Sequence, residues 1–529
     1  MLTIAERLSS FGTSLRYQDL PPEVVHQAKR LIIDTLGCAF GGYTGQPSQI
    51  ARDLASTLSS TQPATVLGSG QTTSPDMAAF ANGVMIRYLD FNDGYTSKES
   101  GHPSDSIAAT LSATEVAKAG GQRFIAATVA AYETFCRVCD AVDIKSQGFD
   151  HVTVGCIAST LGAAKGLGLS DDQTHQALNL AVASNLALYQ TRIGDVSMWK
   201  GCAYANASRN AIFAAMLARR GLTGPSPIFE GPGGYFKAVS GESFDLEPFG
   251  GKEHPFKIME CSIKRFPLGQ YSQTVVQAAL EARQQMPNVE DIVQVNIETL
   301  QTAINIMAGD PEKWRPTNRE TADHSMPYTV GMALLYGDVK QDYFAEEYLA
   351  NEELLDLVAK VKVNVSEEAN QRAPEAMLCR LEVITGSGQS YLGEVAYHKG
   401  HFMNPLDDSE VESKFRSLCD GRLSASRTSS LLERLWNLDK VEEMMNVIVN
   451  TRYNNRRPTI FTSNYEDIPD RDDLESLLVR VGFRMHSRLR EMCEFLEFAG
   501  PDYRGFEYRP SDKDLARALR SGSHTPKPL

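Results

Sequence analysis

Between Tyr88 and Ile107 the chain reads Y-L-D-F-N-D-G-Y-T-S-K-E-S-G-H-P-S-D-S-I, gathering Asp90, Asp93, Lys98, Glu99, His102 and Asp105 into one short stretch. Gly101 and Pro103 bracket His102, which places it on a loop that ends where a helix begins. Such a loop, held between packed helices, fixes the geometry of a general acid or base, and histidine exchanges protons near neutral pH. Two more histidines stand beside glycines or helix starts: His151 in G-F-D-H-V-T-V-G and His401 in K-G-H-F-M-N-P. Taken singly, each reads more simply as a structural or solvated side chain. Cations supply the complementary half. Lys200 lies in S-M-W-K-G-C-A-Y-A-N-A, among small and apolar neighbours at helical spacing. A lysine there either snorkels to water or meets an anion. Arg192, Lys200, Lys264 and Arg265 together could define a pocket for a polycarboxylate. Asp195 follows Arg192 and Glu260 precedes Lys264 at helical spacing, so those two could instead be locally paired. Spacing alone fits unrelated surface charges equally well.

Other chemistries lack their signatures. The chain has no Walker loop, no G-x-G-x-x-G at a strand–helix junction, no G-x-S-x-G and no H-E-x-x-H. The expectation is therefore a site needing no cofactor. Of nine cysteines, the close pair Cys136/Cys139 falls inside a helical pattern. Without a second pair at metal spacing it is read as packing, and no metal is expected.

The elements that must position these residues come in two kinds. Pro75 to Leu89 predicts a helix before the His102 loop, and Ala109, Ala113 and Val116 start another after it. Pro21-Pro22 opens a helix that Gly41-Gly42 closes, and Ser170 with Gln173 predicts a capping box. From 106 to 220 the pattern is almost wholly helical and rich in Ala and Gly, which predicts a tightly packed bundle. After Lys264 alternation takes over at Val293–Ile297, Val361–Val365, Cys379–Val383 and Tyr391–Val395, with helical stretches near Thr274–Arg283 and Ser325–Leu335. The expected fold is thus mainly α: a helical domain over 1–265 and a smaller α+β lid domain over 266–404. A helical return over 405–450 packs on the first domain. A C-terminal extension over 451–529 carries one amphipathic helix, marked by Leu474, Leu478, Val481 and Leu489, before a disordered end.

At 529 residues, 42% hydrophobic and 22% charged, the chain has the composition of a soluble multi-domain protein. A net charge of −14 gives no electrostatic footprint for nucleic acid or an anionic membrane, and no apolar run spans a bilayer. Scattered cysteines and the absence of a signal or transit pattern at the N-terminus predict a cytoplasmic location.

Several separated stretches, in order, resemble the MmgE/PrpD family, which holds 2-methylcitrate dehydratases and cis-aconitate decarboxylases. They are D-T-L-G-C-A-F-G-G (Asp34–Gly42), Y-L-D-F-N-D with G-H-P-S-D, H-V-T-V-G (His151–Gly155), S-M-W-K-G (Ser197–Gly201), R-E-T-A-D-H-S-M-P-Y (Arg319–Tyr328) and K-G-H-F-M-N-P (Lys399–Pro405). The resemblance covers about 3–450. It implies a helical domain with an α+β lid, a homodimer, and a cofactor-independent active site at the domain interface with Asp93, His102, His151 and Lys200. The decarboxylase branch resembles K-R-F-P-A-H, whereas here Lys264-Arg265-Phe266-Pro267-Leu268 is followed by Gly269. The dehydratase branch tends to carry H-S-Q-T; here Tyr271-Ser272-Gln273-Thr274 matches except for the histidine, and T-A-D-H-S with His324 also resembles that branch.

The resemblance therefore implies a hydro-lyase acting on 2-methylcitrate or a related 2-alkylcitrate. His102 and His151 would be the acid/base pair, with Asp93 orienting one of them. Lys200, Arg192 and Lys264 would hold carboxylates of the tricarboxylate substrate, and Gln273 and His324 would contact it from the lid. Decarboxylation of cis-aconitate is the alternative within the family. A non-catalytic binding protein, docking a partner through 474–496, is the alternative outside it.

Overall fold

The structure, a computed structural model, describes residues 2–444. The expected amphipathic helix and the rest of 451–529 lie outside the described residues, as do the last six positions of the helical return.

The first half is helical. α1 (Ile4–Ser14) opens on a capping box between Thr3 and Glu6. α2 (Pro22–Gly41) carries proline in its first turn, where the missing N–H costs nothing. α3 (Gln46–Ser56) and the ladder β1 (Ala64–Thr65)/β2 (Thr72–Thr73) lead to α4 (Pro75–Arg87). The His102 loop follows, pinned by the ladder β3 (Tyr95–Thr96)/β4 (Ser100–Gly101) and ended by a 3-10 turn at Pro103–Ser106. Then come α5 (Ile107–Val116), α6 (Gly121–Ala141), α7 (Val152–Leu167), α8 (Asp171–Ser184) and α9 (Trp199–Ala218). The Ser170/Gln173 capping box starts α8.

Small residues bring these helices together. A Cβ added at Gly83 of α4 would lie 2.9 Å from the Ala205 Cα of α9, and one at Gly162 of α7 would lie 2.6 Å from the Thr110 Oγ1 of α5. The helical pattern expected across 106–220 is broken at 185–198. There Gly194 adopts φ +69, and Asp195 accepts from Asn318 and Thr321 instead of pairing with Arg192. This crossing carries Arg192 and Tyr189 on a 3-10 turn.

The second layer interleaves helices and strands: α10 (Gln273–Gln285), β5 (Ile292–Thr299), α11 (Gln301–Met307), α12 (Arg319–Ala322), α13 (Met326–Tyr336), α14 (Glu346–Leu349), α15 (Glu352–Val358), β6 (Val361–Val365), α16 (Glu367–Arg372), β7 (Cys379–Thr385) and β8 (Ser390–Val395). The sheet order is β6-β5-β7-β8. β5 pairs parallel with β6, which demands the long crossover through α11–α15, and antiparallel with β7; the hairpin β7–β8 closes the sheet. Val295 is opposite both Val361 and Val383, and alternate residues of β7 are buried, as a one-sided sheet requires. This layer has its own core, from Phe266 to Val395, separate from the core of the helices. The fold is mainly α, in two domains.

α17 (Asp408–Cys419) and α18 (Ala425–Trp436) return to the helical layer. Phe415 and Leu418 pack where Gly37 and Gly41 of α2 leave room. From α17, the Lys414 ammonium pairs with the buried Asp34 at 2.7 Å and donates to the carbonyls of Phe91 (2.7 Å) and Lys264 (2.8 Å). Among the described residues no helix is long and apolar enough to cross a membrane, and the cysteines are free and buried.

Candidate active site

A cavity of about 70 Å³, room for several waters, lies between the two layers. The helical layer contributes Arg87, Ser100, His102, Lys145, His151 and Arg192; the other layer contributes Gln270, Tyr271, Ile306, Met307 and His324.

Asp90 organises the charged layer behind the cavity. α4 ends at Arg87, and Asp90 takes a left-handed conformation (φ 49) that turns its carboxylate back on the helix. Its Oδ1 accepts from Arg87 Nη1 and Lys264 Nζ, each at 2.5 Å, and its Oδ2 lies 3.4 Å from Lys200 Nζ and 3.1 Å from His324 Nδ1. Against the cost of burial, Arg87, Lys264, His324 and Lys200 hold this carboxyl well below the usual range. Lys200 also donates to Asp323. Burial pushes Lys264 down to about 8, opposed by Asp90. Asp90, Asp323 and His324 could offer a cation three atoms within 4.8 Å of one another, but the lysines and Arg87 already engage both carboxylates.

The three histidines differ in what they can do. His102 is clamped: Arg87 Nη2 approaches its Nε2 at 2.9 Å, and its Nδ1 lies 2.6 Å from the Asp93 carbonyl. Guanidinium only donates and a carbonyl only accepts, so His102 is the neutral Nδ1–H tautomer. Burial, with Arg87 and Lys264 beside it, keeps its pKa well below the usual value. His151 caps α7, whose N-terminal dipole disfavours imidazolium. Its Nδ1 lies 3.0 Å from Asp150 Oδ1, and its buried Nε2 has no partner. Burial lowers its pKa to about 3, opposed by Asp150 and assisted by Arg192. Arg192 Nε donates to Asp150 Oδ2 at 2.6 Å, fixing the carboxylate. His324 Nδ1 donates to Asp323 at 2.7 Å, and burial followed by Lys200 lowers its pKa to about 4. Both His151 and His324 are thus neutral near pH 7; His324 is hydrogen-bonded to Asp323 at Nδ1, while the Nδ1 of His151 faces the Asp150 carboxylate. Gly101 is required here, because a Cβ would lie 2.5 Å from the His151 ring.

Of the residues expected from the sequence, His102, His151, Arg192 and His324 line the cavity, and Lys200 and Lys264 form the charged layer behind it. Neither Arg192 nor Lys264 is paired locally; their partners are Asp150 and Asp90. The structure does not bring Gln273 to the cavity. Its amide donates to the carbonyls of Phe266 and Leu268 and accepts from Phe266 N–H, so it braces that loop. Asp93 reaches His102 only through its carbonyl; its carboxylate accepts from Ser104 N–H, and burial raises it to about 6. His401 lies in the turn at 397–405, its Nδ1 accepting from Met403 N–H. Sequence reasoning missed Asp90 as the centre, together with Arg87, Asp150 and Asp323. It also missed Lys145, which pairs with Glu99 at 3.2 Å, and Gln270, whose amide is buried without partners. Asp150 and Asp323 carried a local signal, their adjacency to His151 and His324.

Comparison with known proteins supplies a frame. The model of the MmgE/PrpD N-terminal domain matches residues 6–247, and that of the MmgE/PrpD C-terminal domain matches 266–438. The human cis-aconitate decarboxylase is 26% identical over 453 residues, covering 83% of this chain and 93% of the relative. The 2-methylcitrate dehydratase of Escherichia coli (strain K12) is 29% identical over 363 residues, covering 64% and 72%. The alkylcitrate dehydratase phiI of a fungal species (strain ATCC 74256) is 26% identical over 431 residues, covering 74% and 82%.

Proposed function

The chain belongs to the MmgE/PrpD family, and from that premise we propose that it is a hydro-lyase removing water from 2-methylcitrate or a related 2-alkylcitrate. Its relatives are lyases of both kinds, dehydratases and decarboxylases. The observation that carries the dehydratase reading is the pair His151 and His324, which line one cavity and each have an aspartate carboxylate within 3.0 Å of Nδ1. Elimination of water needs two proton transfers: one from the carbon alpha to a carboxylate, one to the leaving hydroxyl. Loss of carbon dioxide requires no base to remove a carbon-bound proton.

In this mechanism His151 takes the alpha proton through its free Nε2. That proton is poorly acidic, because its neighbour is already an anion; Arg87 and Arg192 face the developing charge. His324 delivers the proton to the departing hydroxyl. It begins neutral, and the carboxylates of the substrate favour its charged form, which makes it a donor once substrate is bound. His102 stays neutral and positions Arg87. Lys200 and Lys264 keep Asp90 and Asp323 ionised. No step calls for a metal or organic cofactor. As part of the same reading the chain acts as a homodimer in the cytoplasm.

The test is to mix purified protein with 2-methylcitrate and, separately, with cis-aconitate, following absorbance of the conjugated double bond and release of carbon dioxide. Absorbance rising with 2-methylcitrate and no carbon dioxide from cis-aconitate supports dehydration. Carbon dioxide from cis-aconitate would replace this reading with decarboxylation, which the broad match to the human relative favours.

A further inference from the structure

The cavity has one apolar side. Ile306 and Met307 end α11 and, with the ring of Tyr271, face the charged groups of the helical layer. Met307 is buried and reaches across to Gly269. A Cβ built on Gly269 would lie 2.6 Å from the Met307 Cε and 3.0 Å from its Sδ, and 3.6 Å from His324 Nε2. The thioether tip therefore occupies the volume that a side chain at 269 would claim, beside a proton-transfer nitrogen. Gly269 has φ −54 and ψ 144, a conformation open to any residue. Space, not backbone geometry, is what glycine supplies here.

We propose that Met307, lying over Gly269, is the specificity-determining side chain that sets how long an apolar substituent the substrate can carry. This rests on the dehydratase reading above and deepens it. A wall of Ile306, Tyr271 and Met307 opposite three cations offers an alkyl group a surface that carboxylates avoid. Methionine is unbranched, with three rotatable bonds, so its tip swings aside more easily than a branched chain. The Gly269–Met307 pair has a graded adjustment in both directions. Truncating Met307 deepens the cavity at this wall. Adding a methyl at 269 displaces the tip toward the substrate, at small cost because the atom met first is the end of a flexible chain.

The experiment measures kcat/KM for 2-methylcitrate and 2-butylcitrate with the full chain, M307A and G269A. The ratio of the two substrates is read, because it does not depend on the fraction of protein that is folded. M307A raises the butyl-to-methyl ratio about tenfold or more, the scale set by one or more methylenes in an apolar pocket. G269A lowers it by about tenfold on the same scale. Ratios within about twofold of the parent in both variants overturn the proposal and leave the dehydratase reading standing, since a methionine that only packs moves both substrates together. If the parent removes water from neither compound, that reading fails and the proposal falls with it.

Discussion

The Nδ1 of His151 lies 3.0 Å from Oδ1 of Asp150, while Arg192 grips the other carboxylate oxygen at 2.6 Å. A carboxylate beside Nδ1 favours the ring proton there electrostatically, which leaves Nε2 as a lone pair. Asp150→Asn can present an amide N–H instead, which reverses the tautomer and puts hydrogen on the nitrogen that must accept. Steady-state kinetics on 2-methylcitrate should show kcat reduced by about 10²–10⁴-fold with KM little changed. An unchanged kcat would remove His151 from the role of base.

His102 offers a spectroscopic prediction. Its Nε2 faces a guanidinium and its Nδ1 faces a carbonyl, so protonation would require breaking the contact with Arg87. In ¹⁵N spectra of histidine-labelled protein, His102 should stay the neutral Nδ1–H tautomer between pH 8 and about pH 5, well below where a free imidazole titrates. A titration near neutral pH would show that the clamp is open in solution.

The two aspartates of the Y-L-D-F-N-D stretch should separate sharply. Asp90→Asn leaves Arg87, Lys200 and Lys264 facing one another without their central counter-charge. Denaturant titration at pH 8 should show a loss of roughly 3–5 kcal/mol, together with loss of turnover. Asp93→Asn should not destabilise at that pH and should gain stability relative to the parent as pH rises from about 4 to about 6, because burial raises this carboxyl to about 6 and at pH 8 the substitution removes a buried charge that the fold disfavours. Equal effects from the two substitutions would contradict the assignment of Asp90 as the hub.

Glu115 tests the electrostatics far from any cation. It is buried, Thr65 N–H donates to its Oε2 at 2.8 Å, and burial pushes it up to about 7. A carboxyl raised in the folded state favours folding below its unfolded value of 4.5, and that advantage is lost as pH rises to about 7. Glu115→Gln keeps the acceptor and cannot ionise. Its stability relative to the parent should therefore climb between about pH 4.5 and pH 7 and level off above, by at most roughly 3 kcal/mol. A flat difference across that range would mean Glu115 ionises freely in the fold.

Much of this arrangement is legible in the sequence because it is local. Helix boundaries at Pro22 and Pro75, the Ser170 cap and the alternation in β7 each depend on neighbours within a few residues. The bracketed His102 and the Asp-His pair at 150–151 belong to the same class. What spacing does not carry is which charge meets which. Lys264 finds Asp90 across 174 positions and Lys200 finds Asp323 across 123, so neither pairing leaves a helical or alternating trace. Gln273 shows the reverse error: it sits in a stretch resembling a family motif, yet its amide is consumed by the backbone of Phe266 and Leu268. Proximity to a motif indicates a neighbourhood, whereas contact depends on which way the first turn of α10 faces.

Lys414 adds a constraint in time. Its ammonium ties the carbonyls of Phe91 and Lys264 together, bridging segments 323 and 150 positions upstream. Those two segments carry Asp90 and its lysine partner. On a ribosome the helices made first can assemble early, but the final clasp on this loop waits until α17 has emerged. If the proposed function holds, competence therefore waits for α17, and a nascent chain cut short before 414 would hold most of the candidate site groups without the fastening that sets them.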